Sequence, residues 1–315
     1  MTEFIFKTEP YDHQREAFEA SVGISSYALL MDMGTGKTKV DLDTMSSCFE
    51  DGRIDFCLIV APKGVIANWI SEIAAHLPDR VEREVVLWKP ALTKGHREEL
   101  NDLYVETGKL KFLLMNIEAF SSKKGVSVAE IFVNKFKVFM TVDESTTIKN
   151  RQAKRTKAVC RVGRGAVMRR ILTGSPVTKS PMDLYSQMDF LDPAILGFKS
   201  YYAFQGRYAE VQRRSMGSHS FNQIMGYRHL DELTDKLDRN SFRVRKEDCL
   251  DLPDKVYMRR HVELTVEQSD AYAQMGSLAL ARLDSGELAT TQNVLTQIMR
   301  LQQICLGSLT DDDGT

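Results

Sequence analysis

The stretch that most constrains the fold runs from Leu29 to Val40. It closes a short apolar segment, passes through a glycine-rich turn and enters a sequence with helical character. Gly34 and Gly36 allow successive backbone N–H groups to face one concavity, and the positive end of the following helix points into the same place. This strand–loop–helix pattern predicts a cradle for an anion such as a phosphate group.

Two side chains directly after the second glycine extend this chemistry. Lys37 carries a mobile positive charge that can reach the outer phosphates of a nucleoside triphosphate, and the hydroxyl of Thr38 suits a magnesium ion. The strict phosphate-loop pattern has a glycine where this chain has Met31. We therefore interpret the stretch as a nucleotide-binding loop and expect a matching acidic strand end downstream.

Apolar runs without alternation follow at regular intervals and are separated by segments with helical spacing. Such runs are typical of strands buried on both faces, so an α/β fold with a largely parallel sheet and helices on both faces is expected. The predicted strands are Tyr27–Met31, Phe56–Pro62, Glu84–Trp88, Lys111–Met115, Phe136–Val142 and Val167–Leu172, and the predicted helices are Tyr11–Val22, Lys39–Phe49, Gly64–Leu77, Thr93–Glu106, Val126–Val133 and Arg151–Arg161.

The expected acidic strand end is the sequence VDEST, from Val142 to Thr146. Ligands of parallel sheets bind at the carboxyl ends of the strands, so this stretch and the glycine-rich loop belong on the same edge. We expect Asp143 to hold the magnesium ion through water and Glu144 to polarise the attacking water. Lys37 and Glu144 are the predicted catalytic residues, and Thr38 and Asp143 are the predicted metal ligands.

Bulk composition excludes several classes of protein. The chain has 315 residues, of which 43% are hydrophobic and 27% charged, as in ordinary globular proteins of about two domains. No apolar run approaches a membrane span, and the first ten residues lack the apolar core of a signal peptide, which predicts a cytoplasmic or nuclear location. The five cysteines are scattered, so neither a zinc site nor a disulfide framework is expected.

A formal net charge of −1 gives no global attraction to nucleic acid, so any such binding needs a local patch. The segment from Ser145 to Met182 contains no acidic residue and many lysines and arginines. Two interpretations remain open for it: solvated helix faces, which the pattern alone favours, or a surface for a polyanion.

Beyond Pro193 the strand–helix alternation stops. Residues Phe198–Leu237 show helical spacing without strand-like runs, and Gly206–Gly226 is interpreted as a mobile insertion. Two further helices are predicted at Glu267–Leu283 and Val294–Leu306. The expected organisation is a nucleotide-binding lobe over residues 1–195, a helical extension over 196–306 and a polar tail over 307–315.

These motifs, taken in order, resemble the first ATPase lobe of the Swi/Snf-type DNA translocases within the superfamily-two helicases. The resemblance runs from about Tyr11 to the last helix. The matching sequences are MDMGTGKT in the nucleotide loop, LIVAPKGVIANWISEI at Leu58–Ile73, DESTTIKN at Asp143–Asn150, LTGSPVTKSPMDLYSQMDFLDP at Leu172–Pro193, LPDK at Leu252–Lys255, LTVEQ at Leu264–Gln268 and MRLQQIC at Met299–Cys305.

The resemblance implies a RecA-like lobe that uses ATP and Mg²⁺, acts on double-stranded DNA and works with a second RecA-like lobe. It places Gln14 near the adenine, although this residue alone could equally be a solvated helix residue. Trp69 is interpreted as core packing. The implied ATP-binding residues are Gln14, Met33, Gly34, Thr35, Gly36, Lys37 and Thr38; the coupling residues are Thr146, Thr173, Gly174 and Ser175; and the nucleic-acid contacts are Lys63, Asn68, Asn116, Lys149 and Asn150.

Two departures from the family pattern affect the expected activity. Ser145 and Thr146 stand where the family usually has alanine and histidine, so Thr146 can hydrogen-bond toward Thr173 but cannot replace the histidine. Nothing in the sequence resembles the second lobe or its arginine finger, which contributes roughly three to five orders of magnitude in rate. We therefore expect ATP binding with weak hydrolysis.

Two alternatives remain beside the translocase. One is a nucleic-acid-binding or partner-binding module that binds nucleotide without efficient turnover. The other is an RNA helicase of the DEAD type, which fits less well because Thr173–Pro176 replaces the Ser-Ala-Thr sequence of that class.

Overall fold

The computed structural model describes residues 4–216, 219–249, 256–284 and 291–307. The chain divides into two compact units, Met1–Leu252 and Pro253–Thr315. Each unit is described by itself.

The first unit is built on a seven-stranded sheet in which every pair of neighbouring strands is parallel. The strand order is β3-β4-β2-β5-β6-β1-β9, so β1, β6 and β5 are consecutive neighbours. The strands are β1 (Ser26–Met31), β2 (Phe56–Ala61), β3 (Arg83–Leu87), β4 (Leu110–Asn116), β5 (Val138–Asp143), β6 (Met168–Leu172) and β9 (Ser241–Val244).

Continuous apolar strands form here because both faces of the sheet are covered. In β2, for example, Leu58 and Val60 belong to one hydrophobic core, whereas Cys57 and Ile59 belong to the other. The fold class expected from the sequence is therefore confirmed, and the six strands predicted from apolar runs are all present. The helices of the first unit are α1 (Asp12–Ser21), α2 (Lys37–Glu50), α3 (Ile66–His76), α4 (Lys94–Tyr104), α5 (Lys123–Lys135), α6 (Lys154–Gly163), α7 (Leu184–Leu191), α8 (Pro193–Leu196), α9 (Tyr201–Tyr208), α10 (Leu230–Asp238) and α11 (Lys246–Cys249).

The segment after residue 195 differs from the expected helical extension. Residues of β7 (Ala209–Met216) and β8 (His219–Tyr227) form an antiparallel hairpin, so the absence of strands predicted for Phe198–Leu237 is wrong. Further on, β9 pairs with β1 and extends the main sheet. The compact unit thus continues past the boundary expected at residue 195, because an edge strand from this later segment completes the sheet beside β1.

The second unit contains the two helices predicted there, α12 (Val266–Asp284) and α13 (Thr291–Leu306). The two helices pack together, and the side chain of Gln268 donates to the carbonyl of Ile304 over 3.1 Å. The LPDK motif lies outside the described residues. Within the described ranges, no helix is long and apolar enough to cross a membrane.

Candidate functional site

The candidate site lies at the carboxyl ends of three neighbouring strands. The loops that follow β1, β6 and β5 meet there because these strands are adjacent in the sheet. The backbone N–H of Thr173, after β6, donates to the carbonyl of Leu29 in β1 over 3.2 Å. A Cβ on Gly174 would lie 3.2 Å from the Cα of Asp32, so the absence of a side chain at Gly174 allows the two loops to pack directly.

The glycine-rich loop adopts the conformation that its sequence predicts. Gly34 and Gly36 have φ angles of 86° and 87°, in the left-handed region where side chains are disfavoured. A steric constraint also requires glycine at position 36, because a Cβ there would lie only 2.2 Å from Nε2 of Gln14. The loop then enters α2 at Lys37.

Side chains from the start of α1 hold this loop from the outside. The carbonyl of Thr35 accepts hydrogen bonds from Nε2 of Gln14 at 3.1 Å and from Nε2 of His13 at 2.8 Å. The other end of the Gln14 amide accepts from the backbone N–H of Tyr11. The Thr35 hydroxyl donates to the carbonyl of Asp32 within the loop. The shape of the glycine-rich loop is therefore set by α1 as well as by its own glycines.

Lys37 and the acidic strand end face each other across a cleft of about 520 Å³. The Lys37 Nζ atom lies 3.8 Å from Oε1 of Glu144, and both side chains are largely shielded from solvent. The predicted residues Gln14, Met33, Gly34, Gly36, Lys37, Thr38, Asp143 and Glu144 all line this cleft, while Thr35 is buried behind it.

Asp143 is held by two donors that come from different parts of the chain. Its Oδ2 accepts from the indole Nε1 of Trp69 at 2.9 Å, and its Oδ1 accepts from the backbone N–H of Glu144 at 2.9 Å. Burial raises the pKa of Asp143, and the Trp69 hydrogen bond opposes that shift. Trp69 is fully buried, as expected for core packing, but it also orients the carboxylate.

Glu144 combines an unusual backbone with a perturbed carboxyl group. Its φ of 48° lies in the left-handed region, which non-glycine residues rarely occupy and which recurs at active sites. Burial raises the pKa of Glu144 and the Asp143 charge adds to this shift, whereas Lys37 lowers the pKa. Such a carboxylate is a better proton acceptor than an exposed glutamate.

The donor set at the cleft fits a magnesium ion. Mg²⁺ in nucleotide sites is bound by one or two protein oxygens together with phosphates and water. Asp143 provides an oriented carboxylate with lone pairs remaining beyond its two hydrogen bonds, and Thr38 provides a hydroxyl on the same cleft. Among the described residues there is no cluster of three or more histidine, cysteine or acidic side chains that could hold a metal by itself.

The five predicted nucleic-acid contacts are dispersed. Asn68 lines the cleft, and Lys63 is exposed in the short 3-10 helix that precedes α3. Asn116, at the end of β4, donates to Glu118 over 2.9 Å. Lys149 donates to the Thr178 hydroxyl, and Asn150 is exposed beside it.

The basic stretch between Ser145 and Met182 is divided by the fold. Arg170 is fully buried, and its guanidinium donates to the carbonyls of Arg169, Ser21 and Ile24. Arg170 is therefore a structural residue and is not available to a polyanion. Lys154, Lys157 and Lys179 are exposed, which leaves part of the stretch on the surface.

The loop of Ser145 is joined to the loop after β6 by a route that the sequence did not reveal. The Ser145 hydroxyl donates to Oε1 of Gln187 over 2.6 Å, and Nε2 of Gln187 donates to the carbonyl of Pro176 over 2.7 Å. By contrast, the hydrogen bond expected from the Thr146 side chain toward Thr173 is not present; the Thr173 hydroxyl instead accepts from the backbone N–H of Ser175.

The sequence did not predict the site contacts of three further residues, although it identified Trp69 as a core residue. His13 and Trp69 act through side-chain hydrogen bonds to distant segments, and Lys246 places its amine beside Gly34, 3.6 Å from where a Cβ would lie. None stands in a spacing that would identify it, because each reaches the site through tertiary contacts.

The fold is that of a RecA-like α/β lobe with a glycine-rich loop and an acidic strand end at its cleft. The SNF2-related domain family matches residues 19–308, and the chain belongs to this family of Swi/Snf-type ATP-dependent helicases and translocases. An uncharacterized ATP-dependent helicase of Mycoplasma genitalium is 27% identical over 277 residues, covering 87% of this chain and 24% of that protein. The TATA-binding protein-associated factor MOT1 of Saccharomyces cerevisiae is 26% identical over 302 residues, covering 87% of this chain and 15% of that protein.

Solved structures agree on the fold. The Sulfolobus solfataricus SWI2/SNF2 ATPase core in complex with dsDNA matches with a TM-score of 0.57 at 23% identity, covering 96% of this chain and 60% of that chain. Compared with the two sequence relatives described above, the chain spans about a quarter of the length of the Mycoplasma protein and a smaller share of MOT1.

Proposed function

We propose that this chain is the nucleotide-binding first lobe of an ATP-dependent DNA translocase of Swi/Snf type, which couples ATP hydrolysis to movement on double-stranded DNA. The observation that carries the proposal is the shared cleft, where Lys37, Thr38, Asp143 and Glu144 converge from two loops distant in sequence. The family and the DNA-bound neighbour support the same assignment.

Each side chain in the cleft has a chemical role in this proposal. The N–H groups of the loop from Gly34 to Thr38 and the Lys37 amine bind the phosphates. Thr38 and Asp143 would hold Mg²⁺, which neutralises phosphate charge when bound. Glu144 accepts the proton of the attacking water, and its position 3.8 Å from the Lys37 amine keeps it beside the expected outer phosphate. Gln14 holds the loop and lies where the adenine is expected.

The other predicted residues would contact DNA or couple the nucleotide site to it. Thr146, Thr173, Gly174 and Ser175 would transmit the nucleotide state. The loop of Gly174 packs directly against Asp32, and the loop of Thr146 begins directly after Glu144 in the cleft. Lys63, Asn116, Lys149 and Asn150 would contact the nucleic-acid backbone, and Asn68 would do so only if the DNA reaches the rim of the nucleotide cleft. A second RecA-like lobe in a longer natural chain would complete the active site.

A DNA-stimulated ATPase assay on the longest natural form of the chain tests the proposal. Replacing Glu144 with glutamine should reduce turnover by roughly 10²- to 10⁴-fold, the usual contribution of a general base, and leave ATP binding intact. The matched control is Glu98→Gln, on the exposed side of α4, which should retain wild-type turnover. Comparing duplex DNA, single-stranded DNA and RNA as stimulants separates a DNA translocase from an RNA helicase.

A second candidate function is a nucleotide-binding module without efficient turnover. It is favoured by one observation, namely that the Thr146 side chain does not make the expected hydrogen bond toward Thr173. Nucleotide binding with no turnover in wild type, under any nucleic-acid stimulant, would support this module and contradict the translocase.

A further inference from the structure

The loops after β5 and β6 are joined by a buried polar bridge through α7. Ser145, in the loop after β5, and Gln187, on α7, are both fully buried. The hydroxyl–amide distance is 2.6 Å and the amide–Pro176 carbonyl distance is 2.7 Å. The bridge thus runs from the residue next to Glu144 to the end of the Thr173–Pro176 turn.

Both N–H groups and the oxygen of the Gln187 amide have partners within the protein. Its Oε1 accepts from Ser145, and its Nε2 donates both to Pro176 and to the carbonyl of Asp183, at 2.9 Å. The hydrogen bond between Ser145 and Gln187 is fully buried, so breaking it leaves both groups without water to replace the lost partner.

A neighbouring residue fixes the same helix to the same loop. The Ser186 hydroxyl donates to the carbonyls of Ile148 and Lys149, at 2.7 and 2.9 Å. The loop after Glu144 is therefore attached to α7 at three of its residues. A displacement of this loop cannot occur without moving α7 or breaking buried hydrogen bonds.

We propose that Gln187 is a positioning residue that transmits a change at Glu144 to the Thr173–Pro176 turn, by way of Ser145. The inference rests on the proposed function, in which these two loops belong to the nucleotide site and to its coupling to DNA. It gives a role to the buried hydroxyl of Ser145, which stands where the family usually has alanine. It also explains how the loops communicate without a hydrogen bond from Thr146.

The test uses a double variant that removes the bridge but keeps the packing. Ser145→Ala with Gln187→Met deletes the Ser145–Gln187 hydrogen bond from both sides, so that neither residue leaves the other without a partner. Its melting temperature should fall by roughly 4–8 °C, because the partly buried carbonyls of Pro176 and Asp183 also lose their donor, but the variant should remain folded in the assay. The readout is the ratio of the duplex-DNA Kd without nucleotide to that with saturating Mg²⁺ and AMP-PNP.

Wild type should show a ratio that differs from one by roughly 5- to 150-fold, the usual range of coupling between two sites. The folded double variant should bring the ratio to within about two-fold of one, with an unchanged Kd for nucleotide in the absence of DNA. The matched control is Ser26→Ala, which removes a buried hydroxyl that donates to Leu191, at the far end of α7, and should keep the wild-type ratio.

A wild-type ratio in the double variant overturns the inference, as does equal loss of coupling in Ser26→Ala. A wild-type chain that binds both ligands without any coupling overturns it as well. Absence of nucleotide binding by the wild-type chain would instead overturn the proposed function.

Discussion

The nucleotide cleft and the β7–β8 hairpin are built in opposite ways. In the cleft, each loop is held by side chains from elements far away in sequence, as Gln14 holds the carbonyl of Thr35 and Trp69 holds Asp143. In the hairpin, exposed side chains bond mainly to one another, as Arg213 does to Ser220. The loops of the site are therefore held by buried side chains from other elements. Substitutions that remove these contacts should lower the unfolding free energy more than substitutions in the hairpin.

The largest effect is expected for Gly36→Ala. A side chain there must adopt the disfavoured left-handed backbone and displace the Gln14 amide from Thr35. The combined loss is roughly 2–4 kcal/mol in unfolding free energy, together with loss of ATP binding. Chemical denaturation and nucleotide titration measure the two effects.

Gly52→Ala is the matched control for this prediction. Gly52 also has a positive φ, of 67°, but a Cβ there would meet nothing within 4 Å. It should carry only the backbone penalty of about 1–2 kcal/mol and leave ATP binding unchanged. Equal effects at the two glycines would show that the contact between Gly36 and Gln14 is unimportant.

An intermediate effect is expected from Asp41, which lies on α2 beneath the cleft. The carboxyl group is fully buried and accepts from Thr141 over 2.7 Å, and burial raises its pKa to about 7. The folded protein keeps a proton that the unfolded chain releases above pH 3.8. The stabilising contribution of this group is therefore lost as pH rises from about 4 to 7, on the order of a few kcal/mol.

Asp41→Asn should flatten this part of the pH dependence, which melting temperatures between pH 5 and pH 8 would show. Asp79→Asn is the control, because Lys7 lowers the pKa of Asp79 and its titration lies below that window. An unchanged slope in the Asp41 variant would contradict the assignment of a buried, protonated carboxyl group.

The smallest effect is expected in the hairpin. Arg214→Ala should change the unfolding free energy by less than about 0.5 kcal/mol, as is usual for exposed side chains. Arg170→Ala in the same denaturation assay should cost on the order of 2 kcal/mol, because one buried and two partly buried carbonyls lose their donor. Similar losses for the two arginines would contradict the contrast between the regions.

The strands and the cleft could be predicted because their signals are local. The glycine-rich loop and the apolar runs carry their conformation in a few consecutive residues, and adjacency of the parallel strands then brings Lys37 and Glu144 together. The four-residue strand β9 and the hairpin lack such runs, since most side chains of the hairpin are exposed. The bridge from Ser145 to Gln187 joins residues 42 positions apart, so no local sequence pattern predicts it.

The burial of Arg170 shows a related limit. Its sequence context is a run of basic residues, which suggests a surface, yet β6 places this side chain against the carbonyls of Ser21 and Ile24. Charge patterns identify candidate surfaces, whereas the pleat of a strand decides which charges face inward.

The central claim is that the Gly34–Thr38 loop and the Asp143–Glu144 strand end form one ATP site. Its most direct test is the affinity of the chain for ATP with Mg²⁺, measured by calorimetry for wild type and for Lys37→Ala, with Lys94→Ala on the exposed face of α4 as the control. Wild type and the control should bind ATP, and Lys37→Ala should lose tight binding. Unchanged affinity in Lys37→Ala would contradict the claim.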